Sequence, residues 1–345
     1  MDGILVVAKP AGPTSHDVVA LVRRLAATKR VGHGGTLDPF ATGVLPIFLG
    51  KATRVVEYHL GDRKAYRATV CFGSTSSTDD LDGELTPVEG PAPTRDVVEA
   101  HLSTFRGPIT QTPPAFSAIK VAGRRAYAMA RAGQPVELAP RAVEIFRLVI
   151  TSWDESDPER PIAVIEVECS AGTYVRALAR DLGAAVGSGA YLGALTRTAS
   201  GGFRLENATA LDDVRAAAAD GVERLGELLL PVDAGLESLP VVEIPEGDIA
   251  AIARGQIIRP PVALPDDADA RYRLKAPDGS LVAISAVRAG RLAPDKVFVE
   301  PPGPGTSAAA PGAATNAGRD VAAADAAELD PSTAADPDFA SPDDL

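Results

Sequence analysis

Apolar residues fill positions 4–8 without a break and stop at Lys9-Pro10-Ala11-Gly12-Pro13, after which Thr14-Ser15-His16-Asp17 opens an amphipathic stretch to about Ala27. The apolar run closed by proline and glycine predicts a strand and turn, and Thr14 at the head of the amphipathic stretch predicts a capped helix. Residues 44–49 read as a strand, 53–60 as a helix, and 65–72 as a strand of alternating side chains. Residues 73–93, rich in Ser, Thr, Asp, Gly and Pro, read as a long connection; a helix near 96–104 and a short basic helix over 123–133 follow. Alternation returns over 141–151 and 162–169, helical periodicity over 174–186, and a strand pattern over 191–198. Strands and helices mix without regular βαβ spacing, which predicts an α+β fold: a mixed, mostly antiparallel β-sheet flanked by helices.

The first domain is expected to end near Leu230. From about Leu239 the elements shorten to 241–244, a helix over 246–253, and strands over 271–275, 281–287 and 296–299, which predicts a small β-rich domain over 239–300. Residues 301–345 are mostly Pro, Gly, Ala, Ser, Thr and Asp with almost no large apolar side chains, so a disordered acidic tail is expected there.

Composition narrows the chemistry. A 345-residue chain with 46% hydrophobic residues can bury a sizeable core. No basic region precedes the first apolar run, and no apolar stretch approaches the roughly 20 residues that span a bilayer. The expectation is a cytoplasmic enzyme with no membrane association. Cys71 and Cys169 stand far apart, and His16, His33, His59 and His101 are scattered without HExxH or GxSxG spacing. Neither a disulfide, a metal site nor a serine triad is expected. Gly50-Lys51-Ala52-Thr53 lacks the spacing of a P-loop, so no nucleotide cofactor is expected either.

The net charge of −12 argues against a polyanionic partner until its distribution is read. Residues 1–205 hold 23 Lys+Arg against 21 Asp+Glu, residues 206–300 hold 10 against 17, and residues 301–345 hold 1 against 8. The acidic excess lies outside the first part. Within that part, Lys51, Arg54, Arg63, Lys64 and Arg67 cluster, as do Lys120, Arg124, Arg125 and Arg131. Each is either a phosphate contact or part of a solvated face.

The candidate chemistry centres on Gly32-His33-Gly34-Gly35-Thr36-Leu37-Asp38-Pro39-Phe40-Ala41-Thr42-Gly43. Its glycines let the backbone bend tightly, and Pro39 stiffens the residue before it. Asp38 therefore either caps a turn or is presented to a ligand. The run closely resembles the catalytic motif of the TruB family of pseudouridine synthases, which isomerise a uridine in the T loop of tRNA. The resemblance implies that Asp38 is the catalytic carboxylate.

Three further stretches resemble the same family in the same order, over about residues 3–200. Arg63-Lys64-Ala65-Tyr66-Arg67 resembles the stretch whose tyrosine stacks on the target base, which implies that role for Tyr66 and phosphate contacts for Lys64 and Arg67. Cys169-Ser170-Ala171-Gly172-Thr173-Tyr174-Val175-Arg176 resembles a strand-to-helix motif, implying that Arg176 pairs with Asp38 and Tyr174 lines the pocket. Arg180 shares the helix face of Arg176 and pairs with Asp181 or a phosphate. Lys9-Pro10 resembles a motif that supports the catalytic loop. Leu195 matches a pocket leucine or is ordinary core. His33 and Arg197, with Arg124 and Arg125, are the remaining expected RNA contacts. By its place after such a domain, the β-rich module resembles a PUA-type RNA-binding domain.

The resemblance implies a stand-alone enzyme that flips the uridine at position 55 out of the T-arm stem-loop, acting as a monomer with no obligatory protein partner and no cofactor. A dyskerin-type catalytic subunit directed by guide RNA is the nearer alternative; an RNA-binding or tRNA-folding protein with a vestigial site is the more distant one.

Overall fold

The computed structural model describes residues 1–301, apart from residues 118, 122, 123, 135, 136, 266 and 268; the side chains at 120, 121, 125, 128 and 131 also lie outside the description. The expectation for the acidic tail, beyond residue 301, lies outside the described residues.

Among the described residues, ten strands form one sheet. Its main path runs Thr209–Ala210, Gly3–Lys9, Thr42–Leu49, Ala190–Ser200, Lys64–Phe72, Ile162–Cys169, Arg141–Asp154, Gly107–Gln111. The pairings of Gly3–Lys9 with Thr209–Ala210 and of Thr42–Leu49 with Ala190–Ser200 are parallel; the others are antiparallel. The α+β architecture with a mixed, mostly antiparallel sheet and flanking helices follows.

The alternating pattern of Lys64–Phe72 explains the main core. Ala68, Val70 and Phe72 turn one face of the strand onto the Val175–Ala185 helix, where Val175, Leu178 and Leu182 complete the cluster. At Gly183 the helix meets the next strand so closely that a Cβ would come within 2.1 Å of Ala190 N. The Ser15–Leu25 helix, capped by Thr14 and Asp17 in a reciprocal capping box, lays Val18, Val19 and Val22 on a second cluster.

A four-stranded sheet, Val241–Glu243, Arg271–Lys275, Leu281–Arg288 and Arg291–Val297, has its own core around Val242, Leu274 and Val287. Its Leu281 and Ile284, with Phe298 just beyond it, also join Ile4, Phe48 and Phe203 of the large sheet region in one cluster. Buried Asp233 ties the connecting segment to the small sheet, taking Arg273 Nη1 and Lys275 Nζ at 2.9 Å each.

Several elements differ from expectation. The helix expected over 53–60 is a 3-10 turn, Gly50–Val55, that becomes α-helical only at Val56–His59, in keeping with its β-branched Thr53, Val55 and Val56. The expected connection over 73–93 carries a hairpin, Ser74–Ser76 with Leu85–Pro87. The expected basic helix over 123–133 is a short strand pair, Lys120–Val121 with Arg124–Arg125, followed by the Ala126–Arg131 helix. Between the two sheets the helices Leu211–Ala219 and Val222–Gly226, which no periodicity argument picked out, cover the edge of the large sheet through Leu211, Val214 and Leu225.

Candidate active site

The Asp38 loop is fastened at both ends and underneath. Ser15 Oγ accepts from Leu37 N–H at 2.8 Å and donates to its carbonyl at 3.0 Å, while Gly12 N–H donates to Pro39 O at 2.8 Å. Lys9, 1% exposed, spends its ammonium on Pro10, Pro39 and Ala41 carbonyls at 2.9, 3.1 and 2.8 Å. Burial pulls this lysine down to about 8, with nearby Asp38 opposing the fall. Arg197 donates to Gly35, Thr36 and Val44 carbonyls at 3.0, 3.2 and 2.7 Å. Gly43 makes this possible: with φ near +110°, it passes so close to Arg197 that a Cβ would stand 2.2 Å from that residue's carbonyl oxygen.

Asp38 emerges from this frame facing Arg176, 4% exposed at the start of the Val175–Ala185 helix. Arg176 Nη2 donates to Asp38 Oδ1 at 3.2 Å, and Nε lies 3.0 Å from Oδ2. The same guanidinium reaches a second carboxylate: Nη1 lies 3.2 Å from Asp80 Oδ2 and donates to Thr78 O at 3.1 Å. Nη2 also donates to Phe116 O at 3.0 Å. The Asp80 side chain is 6% exposed and that of Asp38 35%, so one carboxylate is structural and the other is reachable. Burial raises the pKa of Asp38 above the ordinary aspartate range; Arg176 pulls it back, Asp80 adds to the rise, and Lys9 weakly opposes it.

Tyr66 sits on the Lys64–Phe72 strand directly across from Arg197 and packs, half-buried, on the main core. Burial pushes its phenol up to about 12, against a hydrogen bond from Arg197. Leu195, one strand position from the loop's Thr42 partner, is buried in the same core. Tyr174 precedes the Arg176 helix, its N–H donating to Gln111 Oε1 at 2.8 Å. His33 is half-buried: Gly35 N–H donates to its Nδ1 at 3.3 Å, placing its own proton on Nε2, and its ring meets His16 edge-on at 5.4 Å. Burial first, then His16 and Arg197, lower it to about 4, so it is neutral at pH 7.

Two expected RNA contacts are corrected. Arg197 is 1% exposed and its guanidinium is consumed by loop carbonyls, which makes it an anchor for the loop. Lys64 is 7% exposed and its ammonium donates to Asp62 O at 2.7 Å and, more weakly, to His59 O at 3.4 Å. Neither charge faces a polyanion. Arg67 is exposed, but strand alternation puts it on the face opposite Tyr66. Arg124 is exposed and donates to Gln134 Oε1 at 3.0 Å. Arg125 belongs to a short strand, and its side chain lies outside the described residues.

The residues that motif reading missed are Ser15, Thr78, Asp80 and Gln111. The run Asp79-Asp80-Leu81-Asp82-Gly83 was the available signal for the acid, since acids that close in sequence repel unless a cation answers them.

Family comparison agrees with this geometry. A model described as "TruB family pseudouridylate synthase (N terminal domain)" matches residues 23–175, and one described as "tRNA pseudouridylate synthase B C-terminal domain" matches residues 176–237. A "tRNA pseudouridine synthase B" of Bradyrhizobium diazoefficiens is 44% identical over 301 residues, 86% of this chain and 85% of the relative. The chain belongs to the TruB family. A second TruB relative, the "tRNA pseudouridine synthase B" of Thermobifida fusca, is 43% identical over 302 residues, covering 86% of this chain and 98% of its own. Among solved structures, a Cbf5-Nop10-Gar1 complex aligns with a TM-score of 0.65 at 26% identity over 86% of this chain and 85% of that one. An H/ACA RNP bound to a substrate RNA containing 2'-deoxyuridine aligns with a TM-score of 0.64 at 26% identity, with the same coverage. In this chain the two matched segments meet between Val175 and Arg176.

Proposed function

We propose that this chain isomerises uridine to pseudouridine at position 55 in the T loop of tRNA, with Asp38 as the catalytic carboxylate. The observation that carries the reading is the pairing of a reachable Asp38 with buried Arg176 on a loop tied down by Lys9, Ser15 and Arg197. The N1–C1′ bond breaks, the freed uracil turns, and C5 bonds to C1′; C5 then gives up its proton and N1 gains one. No redox partner or external energy enters this balance. Asp38 supplies the carboxylate that attacks, adds or abstracts a proton, and an ionised carboxylate serves each route.

A base must leave the loop stack to reach such a site. Tyr66 offers the stacking face, with stacking on an aromatic worth about 1–3 kcal/mol per base. Tyr174 and Leu195 border the cage in which the uracil turns, and His33, neutral, is suited to a hydrogen bond with RNA. Arg124 and Arg125 are proposed as phosphate contacts, Arg67 only for backbone that passes the sheet face opposite Tyr66, and the four-stranded sheet is proposed as the PUA-like RNA-binding module.

The enzyme is proposed to act alone, as a cytoplasmic monomer. Relatives named tRNA pseudouridine synthase B match most of both chains at 43–44% identity, against 26% for the Cbf5 complexes, which supports a stand-alone enzyme over a guide-directed subunit. Among the described residues no helix is long and apolar enough to cross a membrane. The test is pseudouridine mapping in an unmodified tRNA transcript incubated with the purified chain. Wild-type protein is expected to modify the T loop without added protein or guide RNA, and Asp38→Asn to bind tRNA and leave the uridine unchanged. Turnover by the variant would refute the assignment of Asp38.

A further inference from the structure

Arg180 lies one helical turn beyond Arg176 on the same face, and its three donor positions are all engaged. Nη1 meets Asp79 Oδ2 at 2.8 Å, Nη2 donates to Thr112 O at 2.8 Å, and Nε meets Asp181 Oδ1 at 2.9 Å. The two distant partners are informative. Asp79 is flanked by Thr78, whose carbonyl accepts from Arg176, and by Asp80, whose carboxylate faces Arg176. Thr112 follows Gln111, whose side chain accepts from the N–H of Tyr174. Arg180 thus grips, from one turn further along the helix, the same two segments that hold Arg176 and Tyr174.

Asp79 also needs a grip. Its backbone is left-handed, with φ near +62°, a conformation unfavourable for a residue with a Cβ. Its carbonyl accepts from Leu192 N–H at 3.0 Å, and its side chain is held by Arg180. The turn that delivers Thr78 O and Asp80 to Arg176 is therefore fixed from outside by this ion pair.

We infer that Arg180 is a positioning residue for the isomerisation: through Asp79 and Thr112 it sets where Arg176, and hence Asp38, stands. This rests on the role proposed above for Asp38. A guanidinium that spans two segments fixes geometry in a way a lysine cannot.

The test measures single-turnover rate, KM for tRNA and Tm in the full chain carrying Arg180→Met, Arg180→Lys, Asp79→Asn, or Arg180→Met with Asp79→Asn. Displacement of a reacting group by about an ångström costs on the order of a hundredfold, so Arg180→Met is expected to slow the chemical step by about tenfold to a hundredfold. KM should stay within about twofold, because Arg180 is not a phosphate contact. The double variant should be no slower than the worse single one, since both remove the same tie. Arg180→Lys should recover part of the rate. Wild-type single-turnover rates in the Arg180 variants, a loss confined to KM, or strictly multiplicative losses in the double variant would each overturn the inference. Should Arg180→Met not fold, the near-isosteric Asp79→Asn carries the same expectation of a slowed step with KM held. Asp38→Asn is run in parallel: turnover there would refute the proposed role of Asp38, whereas an inactive Asp38→Asn beside fast Arg180 variants would refute the positioning role alone.

Discussion

At Asp38 two effects oppose each other. Burial and Asp80 favour the protonated acid, and Arg176 favours the carboxylate; the net displacement is upward. In the role proposed for Asp38 the ionised form is the working one, so activity should fall as acid protonates it, and the raised value moves that acid limb above the pH at which an ordinary aspartate titrates. The limb in a pH profile of kcat/KM is expected there. Arg176→Met removes the main force holding the pKa down and leaves Asp38 and Asp80 facing each other, so it should move the limb still higher and lower the rate. Stripping a buried ion pair of one partner costs about 3–5 kcal/mol, which thermal or urea unfolding of that variant will read. The sign for stability is opposite to that for activity. A carboxyl group whose pKa is higher in the fold than in the unfolded chain binds more protons when folded between those two values, so its contribution weakens as pH rises through that window. Asp38→Asn should accordingly unfold at a temperature no lower than the wild type at neutral pH, while abolishing turnover.

Among the elements, the loop illustrates what local sequence could tell and what it could not. The N-terminal strand is legible as an unbroken apolar run closed by proline and glycine, and the capped helix after it, the alternating Lys64–Phe72 strand and the Val175–Ala185 helix are legible from periods of two or of 3.6. Asp38, Tyr66 and Arg176 were legible only as members of motifs. Asp80 stands out only as part of an acid-rich run that calls for a cation, and which cation is not legible, because it is an arginine 96 positions away in sequence. Nor was the burial of Arg197 and Lys64 legible, since a charge drawn into the interior by backbone carbonyls has the same one-letter signature as a charge in solvent. Lys9 is the sharpest case. Lys9→Met would leave the buried Ala41 carbonyl and its neighbours at Pro39 and Pro10 short of a donor. Unpairing a buried acceptor costs about 1–3 kcal/mol, so the variant should lose stability on that order in chemical denaturation. Its single-turnover rate should fall further than its tRNA affinity.

For the whole molecule, charge is divided unequally along the chain. Residues 301–345 carry 1 basic and 8 acidic residues, and residues 1–205 are nearly balanced. Polyanion binding is weakened by like charge nearby, and the penalty grows as salt is withdrawn. Removing residues 302–345 is expected to tighten tRNA binding at low ionic strength and to change it little at high ionic strength, with the single-turnover rate unaltered; fluorescence titration across a salt series checks this. The small sheet is bound to the large one differently. Its Leu281 and Ile284, with Phe298 just beyond it, share a cluster with Ile4, Phe48 and Phe203. Cutting the chain between the sheets would strip apolar surface from both, so the two are expected to unfold in a single transition in calorimetry.

Arg197 belongs to a strand that pairs with Gly43 on one side and with Tyr66 on the other, while its own guanidinium holds Gly35, Thr36 and Val44. The Asp38 loop and Tyr66, the proposed platform for the base, are thereby hung from the two edges of one strand. Any attempt to retune this enzyme toward a bulkier pyrimidine will meet that shared suspension: widening the gap above Tyr66 tilts the loop as well. Altered substrate choice should therefore emerge from paired substitutions on neighbouring strands, and single changes at the platform should register as slower chemistry on every substrate alike.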